Sequence, residues 1–276
     1  MKQRIIVAVI AIPLLVLAIF FAPVWVLGVL VGAIAAIAAW ELMSCAFSDL
    51  KLRLKIYPMA SAFALALGSS IFDPGKVCVF VAFAIFAVMF CEVMASFGKD
   101  EILTFEAAAI GVFAGAVLPL LLSSLVRLGR MEMGAVLALL PFVAAFSSDS
   151  GAYFAGLFLG RHSLAPALSP KKTIEGSIGG FVAAIGIMLA YGFVLRQVGF
   201  VVNFVVLGVY GFFGSLACQL GDLSFSAIKR QYKIKDFGNL IPGHGGMLDR
   251  FDSMFWTAVT IEILVNLAPA IEKIPA

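Results

Sequence analysis

Charge is scarce in this 276-residue chain, with Asp, Glu, Lys and Arg making up 13% of it, about half the share usual in a soluble domain. Apolar residues make up 63%, so too few polar groups remain to cover a water-facing surface. That excludes a soluble globular fold and makes lipid the solvent. Cysteine is also sparse: Cys45, Cys78, Cys91 and Cys218 fall in or beside apolar runs, with no CxxC spacing. They read as small hydrophobes rather than as a disulfide framework or a zinc site. The net charge of +3 is clustered by loop, which gives no sign of a nucleic-acid partner.

Long apolar runs are what the chain has instead. A helix needs about 20 apolar residues to cross a bilayer core. Nine segments meet that need, at about 5–21, 24–46, 56–72, 77–97, 104–126, 131–160, 176–196, 199–227 and 250–269. Lipid offers no partner to a free backbone amide, so each is expected to be helical. The expected fold is all-α, a polytopic integral membrane protein of about nine transmembrane helices. Met1-Lys2-Gln3-Arg4 and the apolar run behind it mimic a signal peptide. The run is long for one and lacks a convincing cleavage site, so it reads as the first span.

An odd number of spans puts the termini on opposite sides. Fourteen of the 19 Lys and Arg then fall on the N-terminal side, against Lys76, Arg127, Arg130, Arg196 and Lys273 on the other. The positive-inside rule makes the N-terminal side cytoplasmic. With no repeat and no soluble domain in view, the chain divides into about five N-terminal spans (1–130) and a C-terminal region of about four (131–276). The latter holds two cytoplasmic loops, 161–175 and 228–249, which carry most of the unusual residues.

The stretch from Gly221 to Asp252 reads GDLSFSAIKRQYKIKDFGNLIPGHGGMLDRFD. Asp222 lies late in an apolar segment, where an ionised group is costly and a functional role is the default reading. Ser226 and Lys229 follow on the same helical face. Asp249 and Asp252 sit three apart where the ninth helix enters the membrane. Carboxylates from two helices suit a hard cation such as Mg²⁺. Lys229, Arg230, Lys233, Lys235, His244 and Arg250 lie between or beside them, and Gly243, Gly245 and Gly246 allow backbone to approach closely. Metal, cations and glycines together suit a polyphosphate. The competing reading is that the cations set topology and the aspartates merely balance them.

A second polar stretch, Ser169–Gly176, opens the seventh helix. Pro170 restricts the entry, Thr173 is a candidate N-cap, and Glu175 sits well in the first turn. Lys171 and Lys172 beside that helix N-terminus make an anion site, unless they serve topology alone. Asp149, among Ser147, Ser148, Ser150 and Tyr153, forms a polar island in the sixth segment, able to pair with a lysine. Glu41, Glu92 and Glu106 lack any motif and read as rim residues or interhelical pairs, and His162 as solvating the end of a helix. Glycine pairs such as Gly28/Gly32 and Gly176/Gly180 permit close helix packing within the chain.

Ser226-Ala-Ile-Lys229-Arg230, then Lys235-Asp236-Phe-Gly238, then Ile241-Pro242-Gly-His244-Gly245-Gly246-Met247-Leu-Asp249-Arg250-Phe251-Asp252 resembles the signature of phosphatidate cytidylyltransferases. The resemblance extends to Asp149-Ser-Gly-Ala-Tyr153 and Ser169–Gly176, while residues 1–130 match only in being hydrophobic spans. It implies transfer of CMP from CTP to phosphatidate, giving CDP-diacylglycerol and pyrophosphate in phospholipid biosynthesis, at the cytoplasmic face of a bacterial inner membrane. It implies Mg²⁺ held by Asp222 and Asp249, with a second cation also allowed, and Lys172 acting beside them. Lys171, Lys172, Arg230, Lys235 and His244 would meet phosphates. Asp149, Asp236, Arg250 and Asp252 would position ligands or partners, with Ser226, Lys229, Gly245 and Gly246 completing the substrate-binding set. Partners would be CTP, phosphatidate, membrane lipid and a second copy in a homodimer. A different CTP-using lipid enzyme, such as a polyprenol kinase or an archaeol-type cytidylyltransferase, would share much of this site. A transporter would carry intramembrane carboxylates too, though usually with repeated halves and charge nearer the midplane.

Overall fold

Every apolar run beyond residue 23 is helical over most of its length in the computed structural model, which describes residues 16–17, 19–98, 102–239 and 245–273. In order they are α1 (Val24–Ala46), α2 (Leu52–Ile71) and α3 (Pro74–Ser96), followed by a broken span. That span comprises α4 (Phe105–Val112), a π-helical turn (Phe113–Val117), α5 (Leu118–Leu122) and α6 (Ser124–Gly129). Then come α7 (Gly134–Leu159), α8 (Ile174–Gln197), α9 (Phe204–Gln231) and α10 (Leu248–Leu267). Among the described residues, seven helical stretches are long and apolar enough to cross a membrane. The chain is thus an all-α integral membrane protein. Helix α10 stands outside the seven and carries Asp249, Arg250, Asp252 and Glu262. Most of the expected 5–21 segment lies outside the described residues.

Two compact units divide the chain: Met1–Leu137 with Tyr232–Phe251, and Ala138–Gln231 with Asp252–Ala276. In the first unit, α1 and α2 pack closely because glycines remove side-chain bulk. A Cβ at Gly32 would lie 3.2 Å from the Phe63 carbonyl oxygen. The break in the fourth span has a local cause. Pro119 has no N–H for the carbonyl of Gly115 four residues back, and Ser61 Oγ of α2 donates to that carbonyl at 2.8 Å. Caps set other ends: Asp73 Oδ1 accepts Lys76 N at 2.9 Å before α3, and Thr104 Oγ1 accepts Ala107 N at 3.2 Å before α4. Arg130 Nη1 donates to the Ser69 carbonyl at the end of α2, at 2.7 Å. Glu92 pairs with Arg53 at 2.7 Å and accepts from Tyr57, the interhelical role expected of it. Only Ile85 and Met89 of α3 are buried, a pattern that suits a helix whose solvent is lipid.

The second unit holds most of α7, then α8, α9, most of α10 and two short two-stranded sheets. Residues 161–175, expected as a loop, contain β1 (Ser163–Ala165) and β2 (Ser169–Thr173), paired antiparallel. Nothing in their polar, proline-containing sequence alternates as a strand does, so pattern alone does not reveal them. Thr173 Oγ1 then accepts Gly176 N at 3.1 Å, the expected cap of α8. Glu175 accepts the amides of Arg161 and His162 at 3.0 and 3.2 Å and meets His162 Nδ1 at 2.5 Å. This ties the hairpin to the helix it precedes. Close packing of α7 on α8 depends on glycine again: a Cβ at Gly176 would sit 2.9 Å from the Ala152 carbonyl oxygen and 3.3 Å from Gly156 Cα. At the other end, β3 (Phe200–Val202) pairs with β4 (Ile271–Lys273). Tyr210 Oη of α9 donates to the Ala268 carbonyl at 2.6 Å.

Candidate active site

In the second unit, α7, the hairpin, α8 and α9 enclose a cavity of about 480 Å³. Its polar wall is made by Asp149, Lys171, Lys172, Ser177, Gln219 and Asp222, and its apolar wall by Tyr153, Leu157 and Leu164. Tyr153 and Leu157 are also exposed to the surroundings of the helices. The cavity is therefore amphiphilic, with charged side chains on one side and exposed apolar ones on the other.

Lys172 Nζ forms an ion pair with Asp222 Oδ2. Ser226 Oγ, one turn on, donates to Asp222 Oδ1 at 3.3 Å, as the shared helical face requires. Asp149 Oδ1 accepts from the Cys218 thiol at 3.3 Å. Asp252, at the start of the second unit's part of α10, faces Lys229 Nζ at 3.9 Å. The carboxylates of Asp149, Asp222 and Asp252 lie near enough for their charges to repel one another, with Lys172 and Lys229 offsetting the repulsion. Among the described residues, no three Asp, Glu, His or Cys side chains are grouped so as to hold a metal ion by themselves, so a divalent ion here would take fewer protein ligands and complete its shell with phosphate oxygens. Arg230 reaches the hairpin instead, donating from Nε to the Leu168 carbonyl at 3.2 Å.

Gln219 and Ser177 extend the polar wall beyond the residues expected from the sequence. Ser177 Oγ donates to Gln219 Oε1 at 2.5 Å, and Gln219 Nε2 donates to Ser215 Oγ at 3.2 Å. Ser215 in turn meets Ser148 at 2.8 Å. The signal was present in the sequence: Gln219 is an amide in an apolar run, three residues before Asp222 and so on its face.

The rest of the signature, Tyr232–Phe251, belongs to the first unit. His244 and Gly243 lie outside the described residues. Asp249 is buried, and its Oδ2 accepts two backbone amides, Phe237 N at 2.7 Å and Gly246 N at 3.0 Å. Gly245 needs to be glycine on two counts: its φ is +79°, and a Cβ there would meet Asp249 Oδ2 at 3.0 Å and Asp236 Oδ1 at 3.2 Å. Lys235, Asp236 and Arg250 are exposed around this turn. Glu41, read from sequence as a rim residue or an interhelical pair, is buried here, accepting the backbone amides of Met247 at 2.9 Å and Leu248 at 2.8 Å.

Residues 2–268 match the family model for cytidylyltransferases. The chain belongs to that family. Its relatives include proteins named phosphatidate cytidylyltransferase. That of Bacillus subtilis (strain 168) is 43% identical over 125 residues, 45% of each chain. That of Staphylococcus aureus (strain COL) is 44% identical over 128 residues, 46% of this chain and 48% of the relative. That of Staphylococcus haemolyticus is 40% identical over 127 residues, with 46% and 48% covered. The chain thus spans about half the length of the relatives it matches.

Proposed function

We propose that this protein is a CTP:phosphatidate cytidylyltransferase, joining CMP from CTP to phosphatidate and releasing pyrophosphate. The observation that carries the reading is the amphiphilic cavity, in which Asp149, Lys171, Lys172 and Asp222 face Tyr153 and Leu157. A substrate with a phosphate head and acyl tails suits such a space, the head against the lysines and the tails toward lipid.

A phosphatidate oxygen attacks the α-phosphorus of CTP, and the bond to the β-phosphate oxygen breaks, its electron pair leaving with pyrophosphate. The attacking phosphate is anionic near neutral pH, so no strong general base is needed. What the protein must supply is alignment of two mutually repelling anions. Lys171 and Lys172, beside the N-terminus of α8, offer positive charge for that purpose. The resemblance assigns Mg²⁺ to Asp222 and Asp249, where when bound it would neutralise phosphate oxygens, and gives Asp149 and Asp252 the positioning of ligands. Ser177 and Gln219 would orient the polar head. The basic loops support a cytoplasmic N-terminus and a cytoplasmic site, the side on which CTP is available.

The test is incubation of the purified protein with phosphatidate and CTP labelled at the α-phosphorus, with the lipid product weighed by mass spectrometry. CDP-diacylglycerol is the expected product. Transfer of the γ-phosphate, or no labelled lipid, would overturn the reading.

A further inference from the structure

Glu41 belongs neither to the signature nor to the proposed chemistry, yet it is 5% exposed. It lies near the C-terminal end of α1, some two hundred residues before the loop it binds. Oε1 accepts Met247 N at 2.9 Å and Oε2 accepts Leu248 N at 2.8 Å. Asp249 Oδ2 takes the amide just before these, Gly246 N, at 3.0 Å. Two carboxylates therefore hold three successive amides at the entry to α10. These are amides that a helix start leaves without internal partners, and the positive end of the helix dipole favours the negative charge.

The surroundings are shaped to this carboxylate. A Cβ at Gly246 would collide with Glu41 Oε2, and one at Gly238 would stand 2.5 Å from Oε1. A side chain at either glycine would therefore displace the Glu41 head. We infer that Glu41 is a positioning residue: it fixes the Gly246–Leu248 backbone and the start of α10, and so holds the Asp249 carboxylate in its direction. Its effect on rate rests on the proposed cytidylyltransferase reading, whereas its effect on the turn does not.

Glu41→Gln keeps the size but replaces one accepting oxygen with an amide nitrogen that only donates. One of the two backbone N–H groups then faces another donor. In the full-length protein, amide exchange of peptides covering 245–249 should quicken at least about tenfold, and kcat should fall about ten- to a hundredfold, more than KM changes. Glu92→Gln, which alters a carboxylate elsewhere in the same unit, should leave both readouts as in the wild type. Gly238→Ala should reproduce the Glu41→Gln result by displacing the carboxylate, and serves if Glu41→Gln fails to fold. In a Glu41→Ala background, where the space is vacant, Gly238→Ala should add little further loss.

Unchanged exchange at 245–249 in Glu41→Gln would overturn the inference. So would faster exchange with wild-type kcat, which would reduce Glu41 to a stabilising cap. If the wild-type protein makes no CDP-diacylglycerol, the reading of the reaction fails, and the exchange result alone decides whether Glu41 holds the turn.

Discussion

Lys172 and Asp222 show how one ion pair bears on two readings of a basic loop. Lys172 lines the cavity and meets Asp222, a pairing that a substrate-binding lysine and a merely charge-balanced one both allow, so a variant decides between them. On the substrate-binding reading, Lys172→Ala should lower kcat/KM for CTP about ten- to a hundredfold, since a charge-assisted contact contributes about 1.5–3 kcal/mol. Steady-state kinetics of a well-folded variant checks this, and wild-type values would return the lysine to a topological role. Asp222→Asn and Asp249→Asn should each remove most activity, with the double variant little worse than either, as for residues acting as a unit. The two differ in one respect that follows from the structure. Asp249 also accepts Phe237 N and Gly246 N, so Asp249→Asn should speed amide exchange in the turn while Asp222→Asn should not. Residual activity in either variant should need more Mg²⁺, measurable by metal titration. Independence from metal concentration would refute their common role.

Helix α8 is the element on which the cavity depends, and its start is fixed by a cap and by close packing. Thr173→Ala removes the acceptor for Gly176 N and should cost about 1 kcal/mol of stability. Gly176→Ala places a methyl 2.9 Å from the Ala152 carbonyl oxygen and should cost more, about 1–3 kcal/mol, by forcing α7 and α8 apart. Thermal unfolding of the two variants in detergent gives the order, and a milder effect for Gly176→Ala would refute the packing argument. The cap and the favourable place of Glu175 were legible in the sequence, because both depend on residues three apart. The hairpin before them was not. It pairs Ser163 with Thr173 and Ala165 with Ser169, and Glu175 accepts the amides of Arg161 and His162 just before it, contacts that no local pattern announces. Likewise Pro119 signals a break in the fourth span, but only the fold supplies Ser61 to the Gly115 carbonyl.

For the whole molecule, the uneven spread of Lys and Arg leads to a topology that can be tested directly. Helix α9 separates Val198 from Gln231. Single cysteines at these positions, in a cysteine-free background, should react from opposite sides of the membrane, Gln231→Cys from the cytoplasm. An impermeant reagent added outside intact cells should label Val198→Cys alone, and labelling of both would refute the assigned orientation. The family match over residues 2–268 extends across the hydrophobic N-terminal half, where the sequence motifs had nothing to offer beyond apolar length.

Composition alone made this a membrane protein, because a chain so poor in charge cannot be solvated by water. Apolar length then marked the helices, since hydrogen bonding in lipid leaves the backbone few other choices. Motif spacing placed Asp222, Ser226 and Lys229 on one face, because helical periodicity is a local property. Tertiary structure alone decided the partners. It put Lys172 on Asp222, set Gln219 and Ser177 into the cavity wall, and gave Asp249 two backbone amides. Above all it carried Glu41 to the amides of Met247 and Leu248. A carboxylate at the end of an apolar run looks the same in sequence whether it faces solvent or a buried helix start. The contact spans some two hundred residues, and only the folded chain brings its two ends together.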